Sequence, residues 1–325
     1  MIEQILPGIY KIDIPLPNNP LKSTNSYFIG GHERNLLVDT GFNCAESKTA
    51  MMEALHNLGV HMETTDLFIT HLHADHSGLI DYLAAPATTV WMSETDAALI
   101  TDGPASSHWS MFNDFLVLSG LIAAGVENNV AKHPGYHYAS GYFDKFTMVY
   151  EGYQIQVGDY SFQCVETSGH TAGHICLYEP QKRLLISGDH ILGKITPNIT
   201  LWCLGEDVLG NYLKNLNKIA ALDVDVVLPG HRSIINDCRG RIGELEIHHD
   251  KRMDDIMNIL GGATMDTAGV ASRMNWDLSY KKWEDFPWGQ KLFASGEALS
   301  HLYHMVVLGK LVMTMNDGIV YFRKL

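Results

Sequence analysis

The chain has 325 residues and 46% of them are hydrophobic, which is enough to bury the core of one large domain, alone or with a smaller one. Its 37 acidic and 23 basic residues give a formal net charge of −14, which disfavours nucleic acids and acidic membrane surfaces as partners. The five cysteines are scattered and form no C-x-x-C pair, which argues against a disulfide framework or a thiolate zinc cage.

The N-terminal sequence MIEQILPGIYKIDIP lacks the basic start and apolar stretch of a signal peptide. No later stretch reaches the ~18 apolar residues that span a bilayer. The sequence therefore predicts a cytoplasmic protein without a membrane partner, and a small molecule is its expected substrate.

The sequence before the first histidine cluster predicts a sheet and then an alternation of helices and strands. Apolar and polar residues alternate between turns over 8–39, which predicts successive antiparallel strands. A helix is predicted over 45–58 and a short buried strand over 66–70. The run HLHADH, residues 71–76, follows that strand directly, and Ser77 is predicted to cap the next helix.

The middle of the chain predicts a second sheet after an insertion. A strand over 88–92 and a helix capped by Ser93 come first. Residues 102–146 mix glycine, proline and aromatic residues around an apolar stretch, which predicts an insertion of helices and loops that overhangs the functional site. Further strands are predicted over 153–157, 161–167, 174–178, 183–187 and 225–228, with an amphipathic helix over 207–222.

The C-terminal residues are predicted to form a module of their own. Helical periodicity predominates after Cys238, and two apolar strands flank an Asn-Asp-Gly turn at 316–318, which is a strong hairpin signal. Helices followed by a hairpin resemble a winged helix. We therefore expect a main domain over 1–239, with the insertion at about 102–146, and a winged-helix-like cap over 240–325.

The run HLHADH places four potential metal ligands within six residues: His71, His73, Asp75 and His76. In an extended chain, side chains two residues apart point the same way, so His71 and His73 can hold one ion while the following turn presents a second pair. Polar loops at helix starts often contain single His or Asp residues without a metal. Four of them together, directly after a strand, predict a chelating site.

Three more potential ligands lie far along the chain, each directly after a predicted strand: His170, Asp189 and His231. The order HxHxDH, GH, GD and GH resembles the metallo-β-lactamase superfamily, and the resemblance runs from about residue 5 to residue 239. It implies an α/β fold, a four-layer αββα sandwich, and a catalytic role for the main domain. The small C-terminal helical, winged-helix-like module lies outside the resemblance.

The resemblance also implies a binuclear metal centre. Its expected ligands are His71, His73 and His170 for the first ion and Asp75, His76 and His231 for the second, with Asp189 as the bridge. A carboxylate suits the bridge because its two oxygens can bind ions that lie ~3.5–4 Å apart. Two divalent ions are expected, zinc in the first place and manganese or iron as alternatives, because no thiolate selects the metal.

Three residues are assigned supporting roles. Asp75 is expected to orient the attacking hydroxide and to carry a proton to the leaving group, with a role as ligand only as the alternative. Asp39, at the end of a predicted strand, resembles the family aspartate that holds the histidine loop by hydrogen bonds, and a plain strand-end cap is the alternative. His174 is expected to pack or hydrogen-bond beside His170, and His190 to point away from the metals.

Departures from subfamily patterns narrow the expected reaction. Relatives that are diiron oxidases have Glu where this chain has His73, and quorum-signal lactonases commonly have Tyr where it has Leu192. No cysteine accompanies Asp189 or His231 as in some β-lactamases. Esterases, thioesterases, persulfide dioxygenases with a single iron, and nucleases remain. Residues 240–325 carry ten basic and eleven acidic side chains, which disfavours the nuclease.

The predicted activity is therefore hydrolysis of a small apolar ester or thioester, of the acyl-CoA or glutathione type, with promiscuous lactonase or phosphotriesterase activity as an addition. A mononuclear iron persulfide dioxygenase and a nuclease are the alternatives. The expected substrate contacts are Trp109, Phe112 and Phe115 in the insertion and Asn198 and Trp202 after the bridging aspartate. Aromatic residues between Trp276 and Phe293 could wall a pocket, form a homodimer contact or fill the core of the module.

Overall fold

The computed structural model describes residues 1–101, 107–277, 280 and 282–325. They pack into two compact units. The first comprises Met1–Pro104, Pro134–Pro197 and Asn215–Ile242, and the second comprises Ala105–His133, Asn198–Lys214 and Gly243–Leu325. Among the described residues, no helix has both the length and the apolar character that crossing a membrane requires.

The first unit contains a seven-stranded sheet in which the strands follow each other in chain order. Its strands are β1 (Ile2–Leu6), β2 (Ile9–Pro15), β3 (Ser23–Ile29), β4 (Asn35–Val38), β5 (Thr65–Phe68), β6 (Val90–Ser93) and β7 (Phe146–Val149). β1 to β4 pair antiparallel, which the alternating pattern over 8–39 predicts for β2 to β4, and β4 to β7 pair parallel. The edge strands β1 and β7 are too weakly patterned to be predicted from the sequence.

A five-stranded sheet completes the first unit, in the order β12-β11-β10-β9-β8. Its strands are β8 (Gln154–Val157), β9 (Tyr160–Glu166), β10 (Ile175–Glu179), β11 (Leu184–Gly188) and β12 (Val226–Pro229). All pair antiparallel except β11 and β12, which are parallel. The carboxyl ends of these two strands therefore lie side by side, which matters for the functional site.

Helices connect these strands along the chain and make up much of the remaining sequence. They include α1 (Ala45–Asn57), α2 (Ala74–Ser77), α3 (Ile80–Leu83), α4 (Glu94–Thr101), α5 (Ser107–Leu118), α6 (Pro134–His137), α7 (Val208–Ala220), α8 (Cys238–Leu260), α9 (Thr267–Ala271) and α10 (Trp288–Val307). Short 3-10 turns cover Met62–Thr64, Val130–Lys132 and Trp283–Asp285. From residue 107 onwards, the predicted insertion consists of helices and loops up to β7, and its residues 102–106 lie outside the described residues.

Two cores explain why the first unit is layered. Side chains such as Phe68 of β5 and Phe162 of β9 are fully buried in a cluster between the two sheets. On the other face of the first sheet, Leu67 is buried with Met51 and Leu55 of α1. The C-terminal half of α7 covers the second sheet, where Lys218 Nζ donates to Glu166 O at 2.7 Å. The predicted four-layer αββα sandwich is confirmed.

The second unit holds a three-stranded sheet of β13 (Met265–Asp266), β15 (Ile319–Lys324) and β14 (Leu311–Asn316). The predicted hairpin is confirmed: Asn316 pairs with Ile319, and the two residues between them have positive φ angles of 48° and 79°, which suit a type I′ turn. Three separate segments of the chain form this unit, so no single position in the sequence divides the two compact units. The division at residues 239 and 240 stays a prediction about separately folding domains.

One local prediction was wrong. Ser77 does not cap the helix after HLHADH; it is the last residue of α2, and its hydroxyl donates to Leu72 O at 2.8 Å. His249 of α8 and His301 of α10 are fully buried in the second unit, where they contact each other. Ser93 does cap α4, since its Oγ accepts a hydrogen bond from Asp96 N at 3.3 Å.

Candidate metal centre

The seven expected ligands all follow strand ends of the first unit. His71 and His73 come after β5, and α2 supplies Asp75 and His76. His170 follows β9. Asp189 follows β11 and His231 follows β12, and because these strands are parallel and Gly188 is paired with Pro229, both side chains leave the same edge of the sheet.

The ligand atoms converge in three overlapping groups, in each of which they lie within 4.8 Å of one another. The groups are His71, His73 and His170; His71, His76 and Asp189; and Asp75, His76 and His231. The structure therefore brings together all seven residues. Asp189 shares a group with one member of each expected set, which is the place a bridging carboxylate would need.

His76 and His231 show how the imidazoles are oriented. Nδ1 of His76 donates to Asp39 Oδ2 at 2.8 Å, and Nδ1 of His231 donates to Ser23 O at 2.8 Å. In the neutral rings, both Nε2 lone pairs then face each other at 3.3 Å. Two lone pairs at this distance repel unless a proton or a cation lies between them. This arrangement fits a metal ion.

His71 is held in the same way through a hydroxyl group. Its Nδ1 donates to Thr70 Oγ1 at 3.0 Å, and the Thr70 hydroxyl in turn donates to Asp39 Oδ2 at 2.9 Å. The Nε2 atom of His71 therefore carries a lone pair and lies 3.2 Å from Nδ1 of His73. Asp39 thus orients one ring directly and a second ring through Thr70.

Burial keeps His71 and His73 neutral. It lowers the pKa of His71 well below the usual value, and His76 lowers it further. Burial, followed by the charge of His170, lowers the pKa of His73 to about 3. Metal binding requires the neutral imidazole, so these rings need not lose a proton near neutral pH before they can bind.

The ligands His231, Asp75 and Asp189 are strongly charged. Burial lowers the pKa of His231, but Asp189 and Asp75 outweigh it and raise the pKa to about 10. Burial alone would raise the pKa of Asp75, whereas His76 and His231 lower it to about 2. Asp189 Oδ2 and Asp75 Oδ2 each lie 3.3 Å from Nε2 of His231. Both carboxylates are ionised near neutral pH and can serve as anionic metal ligands.

Two further observations test whether the site fits a metal. Asp189 Oδ1 is buried without a hydrogen-bond partner among the described residues, and Nε2 of His76 is 3.5 Å away, too far for a good hydrogen bond. A Cβ atom at Gly230 would lie 2.4 Å from the same oxygen. The backbone thus approaches the carboxylate so closely that only glycine fits. The residues present suit divalent ions.

His174 supports the bridge from behind. Its Nε2 accepts a hydrogen bond from Asp189 N at 3.1 Å, so its Nδ1 carries the proton and donates to Thr167 Oγ1 at 2.8 Å. The ring contacts the backbone of the carboxylate residue rather than a metal position. His190 is buried, and its ring lies 6.0 Å from that of His174.

Two supporting residues were missed by sequence reasoning. Thr70 precedes HLHADH directly, so its position next to the motif is a signal that could have been used. Asp96 accepts a hydrogen bond from Leu72 N at 2.9 Å although it lies on α4. An acidic residue in the first turn of a helix is ordinary, so no pattern singles out Asp96.

The expected substrate contacts all belong to the second unit. Phe112 and Phe115 are buried in its core, and Trp109 and Trp202 are half-buried against the same cluster. The amide of Asn198 donates to Glu297 Oε2 at 2.9 Å. These contacts give the five side chains packing or bonding roles in this unit, and their contact with a substrate stays a prediction.

Comparisons with known proteins agree with the geometry. A Caenorhabditis elegans protein, "Beta-lactamase-like protein 2 homolog", is 29% identical over 298 residues, which are 90% of this chain and 82% of that protein. The "Atrochrysone carboxyl ACP thioesterase" of Aspergillus fumigatus is 22% identical over 240 residues, which are 74% of this chain and 44% of that protein.

The fold is shared with a solved metallo-beta-lactamase family protein from Thermus thermophilus, with a TM-score of 0.82 at 24% identity over 99% of this chain and 100% of that one. A family model described as the Metallo-beta-lactamase superfamily matches residues 19–231. The match covers more than half of the sequence, and the chain belongs to the metallo-beta-lactamase superfamily.

Proposed function

We propose that the chain is a metal-dependent hydrolase that cleaves a small apolar ester or thioester. The observation that carries the proposal is the close approach of the Nε2 atoms of His76 and His231, which lie 3.3 Å apart beside the carboxylate of Asp189. When bound there, divalent ions supply Lewis acidity, which generates hydroxide from water near neutral pH.

The chain would hold two such ions, with zinc as the expected metal. The proposed ligands are His71, His73 and His170 for one ion and Asp75, His76 and His231 for the other, bridged by Asp189. Asp39 keeps the rings of His71 and His76 in the tautomers that direct Nε2 inwards.

Asp75 is the proposed proton carrier. It is only partly buried, whereas Asp189, His76 and His231 are buried, so it is the carboxylate that a substrate can approach. Its low pKa leaves it ionised near neutral pH, able to accept a proton from the attacking water and to pass it to the leaving group. His71 and His73 stay neutral, so neither ring carries the second proton that an imidazolium could pass to the leaving group.

The proposed substrate class is supported by one of the comparisons. One relative is named an atrochrysone carboxyl ACP thioesterase. The near-neutral charge of residues 240–325 gives no support to a nucleic-acid substrate.

The proposal is tested with p-nitrophenyl esters, acyl-CoA thioesters and glutathione thioesters, together with metal quantification. His73→Ala and Asp189→Ala should abolish turnover, whereas His56→Ala, a change at an exposed histidine of α1, should not alter it. Turnover that survives both site changes would contradict the metal mechanism. A single iron per chain with oxygen uptake on glutathione persulfide would replace the hydrolase by a dioxygenase.

A further inference from the structure

A carboxylate that belongs to none of the ligand groups lies buried in the first turn of α4. Asp96 is fully buried, and among the described residues it has no ion pair with a basic side chain. Burial raises the pKa of Asp96 to about 6, against hydrogen bonds that lower it. A buried charge without a counter-ion is costly, so the hydrogen bonds it accepts need an explanation.

Asp96 accepts three hydrogen bonds from two loops. Oδ2 accepts from Leu72 N at 2.9 Å and from Thr171 Oγ1 at 2.7 Å, and Oδ1 accepts from Gly173 N at 2.8 Å. Leu72 belongs to the HLHADH loop, whereas Thr171 and Gly173 belong to the loop after β9. One side chain thus connects the two loops, beside a backbone hydrogen bond from Ile175 N to Thr70 O at 2.9 Å.

The residues that Asp96 contacts are neighbours of one ligand group. Leu72 stands between His71 and His73, and Thr171 follows His170. These three histidines form the first group of potential ligands. The distance between the two loops therefore fixes the distance between His170 and the other two rings.

The second ligand group is held by other atoms. His76 donates to Asp39, and His231 donates to Ser23 O. No hydrogen bond joins Asp96 to either ring in the part of the chain that the structure describes. A substitution of Asp96 should therefore disturb the first ligand group more than the second.

Chemistry at this position requires a carboxylate. All three partners donate, and an amide offers one acceptor oxygen where a carboxylate offers two, so asparagine would direct its NH2 group at an N–H or O–H donor. The loops are also tightly packed, because a Cβ atom at Gly173 would lie 2.2 Å from Ser93 Oγ and 2.6 Å from Asp96 Oδ1. Any side chain at Gly173 would collide with Ser93 and Asp96.

We propose that Asp96 is a positioning residue that clamps the HLHADH loop to the loop of His170 and thereby sets the affinity of the first metal position. The inference rests on the proposed metal centre. It assigns Asp96 no contact with substrate or metal.

The test measures zinc affinity by competition with a chromogenic chelator in the full chain. A His231→Ala background isolates the first group, and a His73→Ala background isolates the second. Adding Asp96→Asn should lower zinc affinity about 10–100-fold in the first background, the usual effect of losing a partner of a metal ligand, and leave it unchanged in the second. Glu94→Gln, an exposed change in the same helical turn, should alter neither.

A second variant guards against a folding defect. Thr171→Val removes one donor to Asp96 and keeps both the side-chain shape and the carboxylate, so it should weaken the first position in the same direction but less. Unchanged affinity in the first background, or equal losses in both, would overturn the inference and leave the hydrolase standing. Absence of zinc binding and of hydrolysis in the unaltered chain would overturn the proposed function instead.

Discussion

Replacement of Asp39 by asparagine tests how the histidine rings are held. The carboxylate accepts from Thr70 N at 2.8 Å, Thr70 Oγ1 at 2.9 Å and His76 Nδ1 at 2.8 Å. Asparagine keeps the shape but has one acceptor oxygen, so at least one of these bonds is lost and a donor is left facing an amide NH2 group. A hydrogen bond to a charged group contributes about 1.5–3 kcal/mol. Since about 1.4 kcal/mol is tenfold in affinity, zinc should bind roughly 10–100-fold more weakly.

The assay is zinc competition with a chelator, read beside urea unfolding of the zinc-free protein. Asp66→Asn is the matched control, because Asp66 is a buried carboxylate of the same sheet that accepts from Arg34 Nη2 at 2.7 Å and from Thr89 N at 2.8 Å, with no ligand attached. Asp66→Asn should lower stability without lowering zinc affinity. If the two variants lose stability alike and neither loses zinc affinity, the reasoning about ring orientation is refuted.

Three further outcomes are expected. Chelation should lower the melting temperature reversibly, because a ligand at 100 times its Kd stabilises by about 2.7 kcal/mol; an unchanged melting curve would argue against bound metal. Gly230→Ala should abolish zinc binding, because its Cβ would lie 2.4 Å from Asp189 Oδ1, whereas Gly243→Ala, with open space around it, should leave binding intact. Burial alone would raise the pKa of Glu297, but His248 and Arg252 outweigh it and lower the pKa from 4.5 to about 2. The ionised form of Glu297 therefore stabilises the fold above pH 4.5. That contribution, about 3 kcal/mol, should disappear as the pH falls towards 2. The difference in the free energy of unfolding between the unaltered chain and Glu297→Gln should therefore narrow when the zinc-free protein is acidified. A constant difference would contradict this prediction.

The positions of the metal ligands could be predicted because each follows a strand whose pattern is clear. β11 and β12 are continuous apolar runs, and Asp189 and His231 come directly after them. Once the strand ends are placed, the ligands must meet at one edge of the sheets. For the same reason, the positions of β5 and of the histidines that follow it could be predicted.

The supporting residues could not be predicted from the sequence because their partners are distant along the chain. Asp96 bonds to Leu72 and Gly173, which lie 24 and 77 residues away, and no periodicity encodes such pairs. Ser77 was misplaced for a related reason: a serine before an apolar run looks like a cap, but the helix had already begun after His73.

The buried histidines of the second unit show the limit of helical periodicity. His301 Nδ1 donates to Glu297 O at 2.7 Å, and its Nε2 accepts from His249 Nδ1 at 3.0 Å. This pairing gives each ring a hydrogen-bond partner in the core, and burial lowers the pKa of His301 to about 4. A sequence pattern records a polar residue, not the partner that makes its burial possible.

The most direct test of the central claim is the rate of ester and thioester hydrolysis as zinc is returned to the metal-free chain. The account predicts no turnover without metal and a rate that rises until two ions are bound per chain. A rate that is independent of added metal, or no hydrolysis of any ester or thioester in the fully loaded chain, would contradict it.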